Sequence, residues 1–329
     1  MARIVMELTN RCNLRCRHCF DQRHAGSGDL PLGLIEKVLR DARACGVDHV
    51  SFSGGEPTLH RHFAEILERI REARCTFGLV SNGSTFRQIY PLLLAYRESF
   101  AGVTFSLDGA RRETHDRLRG AGSFRQVMRA ASICHVKALP FTFNMVLTHE
   151  NHHEIDDLVE LASRLGSDGV RFGHLMAGPG VETGELDLSP NERRAIEARI
   201  WRLQKNAPIP VGMAPGYYSE SPFFPCGPLV MEEFNIDYKG NLTLCCHLSG
   251  HSAATPSPDH IANLEDVSLA EACARFGRRV ATYLEDKRVR VARGDFGDLD
   301  HFPCRYCAQY LDAASGPIRP IPMQWLQNH

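Results

Sequence analysis

Along the N-terminal two thirds of the chain, short apolar runs alternate with stretches whose apolar residues recur every three or four positions. Residues 3–8 read as a short buried strand, and residues 9–30 as a long connection without clear periodicity. Leu32 to Ala44 is amphipathic, with Leu34, Ile35, Val38, Leu39 and Ala42 on one face. The pattern then predicts strands at Val47–Phe52, Phe77–Val80, Val103–Leu107, Phe141–Leu147 and Gly169–Leu175. Between and after them it predicts helices at Phe63–Ala73, near Ile89–Tyr96, and at Phe124–His135, Ile155–Leu165 and Pro190–Gln204. The strands read as apolar throughout, as expected when both faces are covered. Successive β/α units imply parallel strands joined by right-handed crossovers. Six such units are too few to close an eight-stranded barrel, so residues 1–207 are expected to form an open, partial (β/α)6 barrel. In such a fold the chemistry sits on the loops at the C-terminal ends of the strands.

Near residue 210 the alternation stops. Pro208, Pro210, Pro215, Pro222, Pro225 and Pro228 mark an irregular entry. Phe234 to Leu244 then reads as a β-hairpin turning at Lys239-Gly240-Asn241, followed by a helix near Leu269–Tyr283 and a proline-rich tail. Residues 208–329 are expected to form a small α+β domain.

Composition narrows the function classes. The 329 residues carry a formal net charge of −1, which gives no global electrostatic case for DNA or an anionic membrane. No apolar run approaches the ~18 residues needed to span a bilayer, and Glu7 and Arg11 interrupt the start too early for a secretory signal. A soluble, cytoplasmic protein is expected. Twelve cysteines are the outstanding feature. In a reduced compartment, closely spaced thiols are more often metal ligands than disulfides. Eight of them fall in two groups, Cys12, Cys16 and Cys19 near the start and Cys226, Cys245, Cys246, Cys304 and Cys307 near the end. Cys45, Cys75, Cys134 and Cys273 stand singly and read as small buried hydrophobes.

The first group is a C-x3-C-x2-C pattern in the long loop after the first strand. Three thiolates so spaced can reach three irons of a [4Fe–4S] cube and leave the fourth iron open. Zinc also takes thiolates, and His18 is the available fourth ligand; a neighbour of Cys19 would have to fold back tightly to serve, and zinc-ribbon spacing is absent. A loop of this length inside a compact domain is itself a sign of function.

The ends of the other strands then matter. Ser53-Gly54-Gly55-Glu56-Pro57 follows the second strand, Ser81-Asn82-Gly83 the third, Ser106-Leu107-Asp108-Gly109 the fourth, and His115-Asp116-x-x-Arg119-Gly120 comes after that. Together with the three-cysteine loop, and in this order, these segments resemble the radical S-adenosylmethionine (radical SAM) superfamily over residues 1 to about 205. The resemblance implies that Cys12, Cys16 and Cys19 hold a site-differentiated [4Fe–4S] cluster whose open iron chelates SAM. It further implies that Gly54, Gly55 and Glu56 receive the methionyl amino group, where two glycines allow close backbone approach and a carboxylate accepts from an ammonium. Asn82, Ser106 and Asp108 would lie near the ribose and the cofactor carboxylate, and Arg119 would pair with that carboxylate. Leu175 would pack on adenine and His18 near its edge. Reductive cleavage of SAM in this family yields a 5′-deoxyadenosyl radical that takes hydrogen from substrate.

Cys226, Gly240, Cys245 and the pair Cys304 and Cys307 give C-x13-G-x4-C…C-x2-C. This resembles the shortened auxiliary-cluster (twitch) domain of one radical SAM branch, related to the longer SPASM form. It implies one auxiliary [4Fe–4S] cluster on Cys226, Cys245, Cys304 and Cys307, with Cys246 a spare; a zinc site on the same four cysteines is the alternative. Two [4Fe–4S] clusters and SAM are therefore the expected cofactors. The branch points to modification of a ribosomally made peptide by crosslinking, epimerisation or oxidation. The alternative is oxidation, dehydrogenation or rearrangement of a small molecule in natural-product or cofactor biosynthesis. An external one-electron donor of flavodoxin or ferredoxin type is expected. Because Cys12 follows the start at once, any leader-peptide-binding domain is expected to be a separate protein.

Overall fold

The structure is a computed structural model that describes residues 2–19, 27–176, 184–250 and 257–314. Its centre is a parallel sheet of seven strands in chain order: β1 (Ala2–Thr9), β2 (Val47–Gly54), β3 (Thr76–Ser81), β4 (Phe100–Ser106), β5 (Phe141–Leu147), β6 (Val170–His174) and β7 (Val211–Met213). The crossovers carry α1 (Leu32–Ala42), α2 (Phe63–Glu72), α3 (Phe86–Ala95), α4 (Arg112–Arg119), α5 (Ser123–Lys137), α6 (Ile155–Arg164) and α7 (Pro190–Gln204). This is the open, partial barrel that the alternation predicts. The sheet does not end at β1, however. β8 (Glu233–Ile236) pairs parallel to it, with Ile4 opposite Phe234, and β9 (Asn241–Thr243) and β10 (His260–Asn263) extend the same edge antiparallel. The β8–β9 turn closes with Gly240 N–H donating to Asp237 O at 2.9 Å, and Gly240 sits at φ 84°. The hairpin expected around Gly240 is therefore present, as an edge of the barrel sheet.

The strands depart from the expectation of apolar residues throughout. On β5, Phe141, Phe143, Met145 and Leu147 are buried against the helices, whereas Thr142, Asn144 and Val146 between them are only half-buried. β2 and β4 repeat this, burying Val50, Phe52, Val103 and Phe105 while Ser51, Ser53, Thr104 and Ser106 stay half-buried. Only the helix-facing side is core. On these strands the opposite side carries mainly polar residues, Ser51, Ser53, Thr104, Ser106, Thr142 and Asn144.

The pattern missed α4, α9 (Pro303–Ala314) and the short strands β7 and β10, and it ended α8 (Leu269–Ala292) early. Only His115 and Leu118 of α4 are buried, so it offers no apolar stripe to detect. α9 carries Cys304 and Cys307 where the pattern predicts no helix. α8 runs nine residues past its expected end at Tyr283. Its buried side chains are Leu269, Ala272, Phe276, Val280, Tyr283 and Lys287, so a lysine occupies the next core position and masks the continuation. The proline-rich tail lies outside the described residues, as do residues 20–26 of the long loop. No helix among the described residues is long and apolar enough to cross a membrane.

Candidate functional site

Cys12, Cys16 and Cys19 follow the C-terminal end of β1. The loop is pinned from two sides. Gly55 N–H donates to Thr9 O at 2.7 Å and Glu56 N–H to Arg11 O at 2.9 Å. A Cβ on Gly54 would lie 2.2 Å from Thr9 O, and one on Gly55 2.3 Å from Arg11 O, so both must be glycine for the end of β2 to grip the loop. Opposite, Arg17 N–H donates to Leu118 O of α4 at 2.9 Å. Donors converge on the sulfurs, with Asn82 Nδ2 3.7 Å from Cys12 Sγ and Arg119 Nη1 3.9 Å from Cys16 Sγ. Burial pushes the Cys16 thiol up to about 11; Arg119 opposes this, while Cys19, Asp108 and Cys12 add to it.

Glu56 is fully buried and its oxygens are occupied by the chain's own donors. Oε1 accepts from Thr58 Oγ1 at 2.6 Å and Ser81 Oγ at 3.0 Å, and Oε2 accepts from Asn82 N–H at 2.8 Å. Burial raises its pKa and these hydrogen bonds counter it. The carboxylate thus sets the backbone of the β3 loop, and through it the Asn82 amide, which also donates to Asn13 Oδ1 at 2.9 Å.

Asp108, also fully buried, is the hub of the opposite side. It accepts from Arg119 Nε, from His18 Nε2 at 3.0 Å and from Val146 N–H at 2.8 Å. Burial works to raise its pKa, but Arg119 and then His18 override this and hold it well below the usual carboxylate range. Arg119 therefore stands between Asp108 and Cys16. His18 is buried with Nε2 committed to Asp108, and among the described residues its Nδ1 has no hydrogen-bond partner. Leu175, just past β6, packs with Leu118 and Leu186 in a small apolar cluster separate from the main core. Ser106 is half-buried at the end of β4. Two motif residues prove architectural. His115 Nδ1 accepts from Asp108 N–H at 3.1 Å, and burial first, then Arg119, lowers its pKa to about 4. Asp116 accepts from the N–H groups of Gly122 and Phe124 and so holds the start of α5.

A second set of thiols lies about 200 residues later in the chain, where burial raises the pKa values of Cys226, Cys304 and Cys307 and the charge of Cys245 adds to each. Burial takes Cys226 up to about 12 and Cys307 up to about 11. Cys304 and Cys307 lie one turn apart on α9, on the same face. Gly216, at φ 116°, leaves room for Cys304 Sγ; a Cβ there would approach it to 3.0 Å. Cys246 is engaged with Cys245 through a thiol–thiol hydrogen bond that is the largest influence raising the Cys245 pKa. Elsewhere Cys75 and Cys134 are buried as expected, whereas Cys45 and Cys273 are half-buried and hydrogen-bonded to each other.

Sequence reasoning missed the residues around this second set. Tyr283 Oη lies 3.0 Å from Cys307 Sγ. Asp187 pairs with Arg193 at 2.5 Å and with Arg305 at 2.8 Å, tying the β6 side of the barrel to α9. Lys287 is only 2% exposed. Its place in the three-four spacing of α8 was the signal available. Among the described residues no three cysteines, histidines or carboxylates meet closely enough to hold a single ion. The fit to metal therefore rests on donor chemistry: two groups of soft thiols, each with donors or cations aimed at sulfur.

Residues 6–162 match the sequence profile described as the Radical SAM superfamily. The chain is 27% identical over 330 residues to the PqqA peptide cyclase of Rhodopseudomonas palustris, a match covering 95% of this chain and 84% of that protein. It is 30% identical over 208 residues to the Fe-coproporphyrin III synthase of Methanosarcina barkeri, covering 61% of this chain and 51% of that one. In fold it is similar to Streptococcus suis SuiB bound to S-adenosylmethionine, with a TM-score of 0.69 at 18% identity. That match covers 82% of this chain and 64% of SuiB, so the chain spans less than two thirds of that neighbour, and at this identity the likeness is one of fold.

Proposed function

We propose, on the premise that this chain carries a radical SAM domain, that it is an enzyme using SAM-derived hydrogen abstraction to modify a ribosomally made peptide. The observation that carries this reading is that Asn82, after β3, and Arg119, after β4 and held by Asp108, converge on the sulfurs of Cys12 and Cys16. When bound, the cluster and SAM supply reductive cleavage of the sulfonium and a radical that removes hydrogen from substrate. Cys12, Cys16 and Cys19 would hold that cluster. Gly54 and Gly55 keep the loop against β2, and Glu56 fixes the Asn82 amide. Asp108 orients Arg119 by one edge, leaving the other toward Cys16 and an incoming carboxylate, for which a planar guanidinium is suited. His18 Nδ1 is left to meet the cofactor's purine edge, with Leu175 beneath the ring. Asn82 and Ser106 suit the ribose. The polar inner face, with Ser51, Ser53, Thr104, Thr142 and Asn144, offers hydrogen bonds to a substrate rich in amides.

Cys226, Cys245, Cys304 and Cys307 would hold a second [4Fe–4S] cluster, the soft all-thiolate set such clusters take. The PqqA peptide cyclase likeness supports a peptide substrate, and the reductive cleavage of SAM calls for an external one-electron donor of flavodoxin or ferredoxin type. The likeness to Fe-coproporphyrin III synthase favours a second reading, oxidation of a small molecule in cofactor biosynthesis. Anaerobically reconstituted protein, given SAM and dithionite, is expected to release 5′-deoxyadenosine. Precursor peptides encoded near its gene, and coproporphyrin-type compounds, would then be assayed in parallel for a mass change that depends on SAM. Absence of 5′-deoxyadenosine from protein carrying a full iron complement would overturn the reading.

A further inference from the structure

A buried lysine requires an anion. Ammonium groups are almost never fully buried without a partner, because the interior cannot replace their hydration. Lys287 is 2% exposed, yet among the described residues no carboxylate lies within ion-pair distance of it. Asp300, a carboxylate whose charge acts on it, is engaged with Arg290 at 3.7 Å and with Gly297 N–H at 2.8 Å. Instead Nζ stands over aromatic faces, 4.3 Å from the ring centroid of Tyr306, 5.5 Å from Phe296 and 5.9 Å from Tyr283. Such contacts favour the cation but carry no countercharge. Burial lowers the Lys287 pKa, and the groups that oppose this, once ionised, are Cys307 and Cys226 ahead of Asp300. Tyr306 adjoins Cys307 in sequence, and Tyr283, one turn before Lys287 on α8, places its hydroxyl 3.0 Å from Cys307 Sγ. With the sulfur as a thiolate, that hydroxyl is the donor.

We propose that Lys287, with Tyr283, sets the reduction potential of the metal centre held by Cys226, Cys245, Cys304 and Cys307. The inference rests on the reading of those four cysteines as an auxiliary [4Fe–4S] site. Four thiolates outweigh the positive charge of the cluster core, and reduction adds one further negative charge, so a fixed cation nearby stabilises the reduced form more than the oxidised one. A hydrogen bond donated to a ligand sulfur acts in the same direction. Both devices make the centre easier to reduce, which suits a site that takes an electron from a substrate-derived radical. Lys287 is a positioning charge here and need not touch substrate.

The test uses the full chain with Cys12, Cys16 and Cys19 replaced by alanine, so that only the second centre remains, and reads its midpoint potential by EPR-monitored titration. Lys287→Met is expected to lower the one-electron equilibrium at least tenfold, about 59 mV. Lys287→Arg should stay near the parent value, and Tyr283→Phe should fall in the same direction by less. Lys287→Gln, which keeps a polar head without charge, gives the same comparison if the methionine variant fails to take up iron. Iron in place with an unchanged potential in the neutral variants would overturn the role of Lys287 while leaving the four-cysteine reading intact. Zinc, or no metal, in the parent with Lys287 present would instead overturn that reading.

Discussion

Arg119 is held at one edge by Asp108 and faces Cys16 with the other, so its position depends on a buried carboxylate that cannot move. Replacing it with alanine removes the cation and leaves Asp108 buried with His18 Nε2 and the Val146 N–H as its remaining partners. Truncating one member of such a pair costs about 2–5 kcal/mol, and SAM affinity is expected to fall accordingly. Glu56→Gln should also weaken SAM binding, because an amide cannot accept from Thr58, Ser81 and Asn82 with both of its heads. Neither change touches a cluster ligand, so iron content should stay at the parental level. Calorimetric titration with SAM beside iron analysis reads both effects; normal affinity in both variants would remove these residues from the cofactor site. The motifs made Glu56, Asp108 and Arg119 legible in the sequence. What they grip was not legible, because Glu56 meets Ser81 and Asn82, and Asp108 meets Val146, across separations that no local pattern encodes.

At the scale of elements, periodicity found the helices that bury an apolar stripe and failed where burial is polar. α4 buries a histidine and one leucine, and α8 buries Lys287 at a core position, so both fell below what an apolar pattern can signal. The strand faces were misjudged for the converse reason. Short runs such as Phe141-Thr142-Phe143-Asn144-Met145 look apolar overall, and only pairing into a curved sheet separates the helix face from the inner one. α9 matters most for function, since a helix places Cys304 and Cys307 on one face, as a C-x2-C turn also would, but anchors them through Tyr306 and Arg305 to α8 and the barrel. Single replacements of Cys226, Cys245, Cys304 or Cys307 by alanine, in the variant lacking Cys12, Cys16 and Cys19, are accordingly expected to abolish the second iron–sulfur signal. Cys246→Ala should retain it, and should also release the Cys245 thiol from its hydrogen bond. Iron analysis and EPR decide. Iron surviving the loss of both Cys304 and Cys307 would refute the four-ligand assignment.

For the whole molecule, the second set of thiols draws on segments that also share an apolar core with the barrel through Phe234, Ile236, Phe276 and Leu311. Cys226 precedes β8, Cys245 follows β9, and Cys304 and Cys307 open α9, while β8 itself hydrogen-bonds to β1 at the barrel's edge. β8, β9 and β10 are only four, three and four residues long, too short to hold the edge by pairing alone. Metal at the four cysteines would link them to α8 and α9, since binding a folded site but not the unfolded chain adds its free energy to stability. Without metal, burial keeps those thiols protonated, and the repulsion that their ionisation would create is relieved by opening the segment. Removal of iron from the variant lacking the first cluster should therefore raise amide hydrogen exchange at least tenfold, about 1.4 kcal/mol, in β8–β10, α8 and α9. The helices packed on β2 to β6 should be less affected, because none of the four cysteines lies on them. Uniform loss of protection across the barrel would mean that the fold is one cooperative unit, and equal protection with and without metal would mean that the second centre carries no structural role.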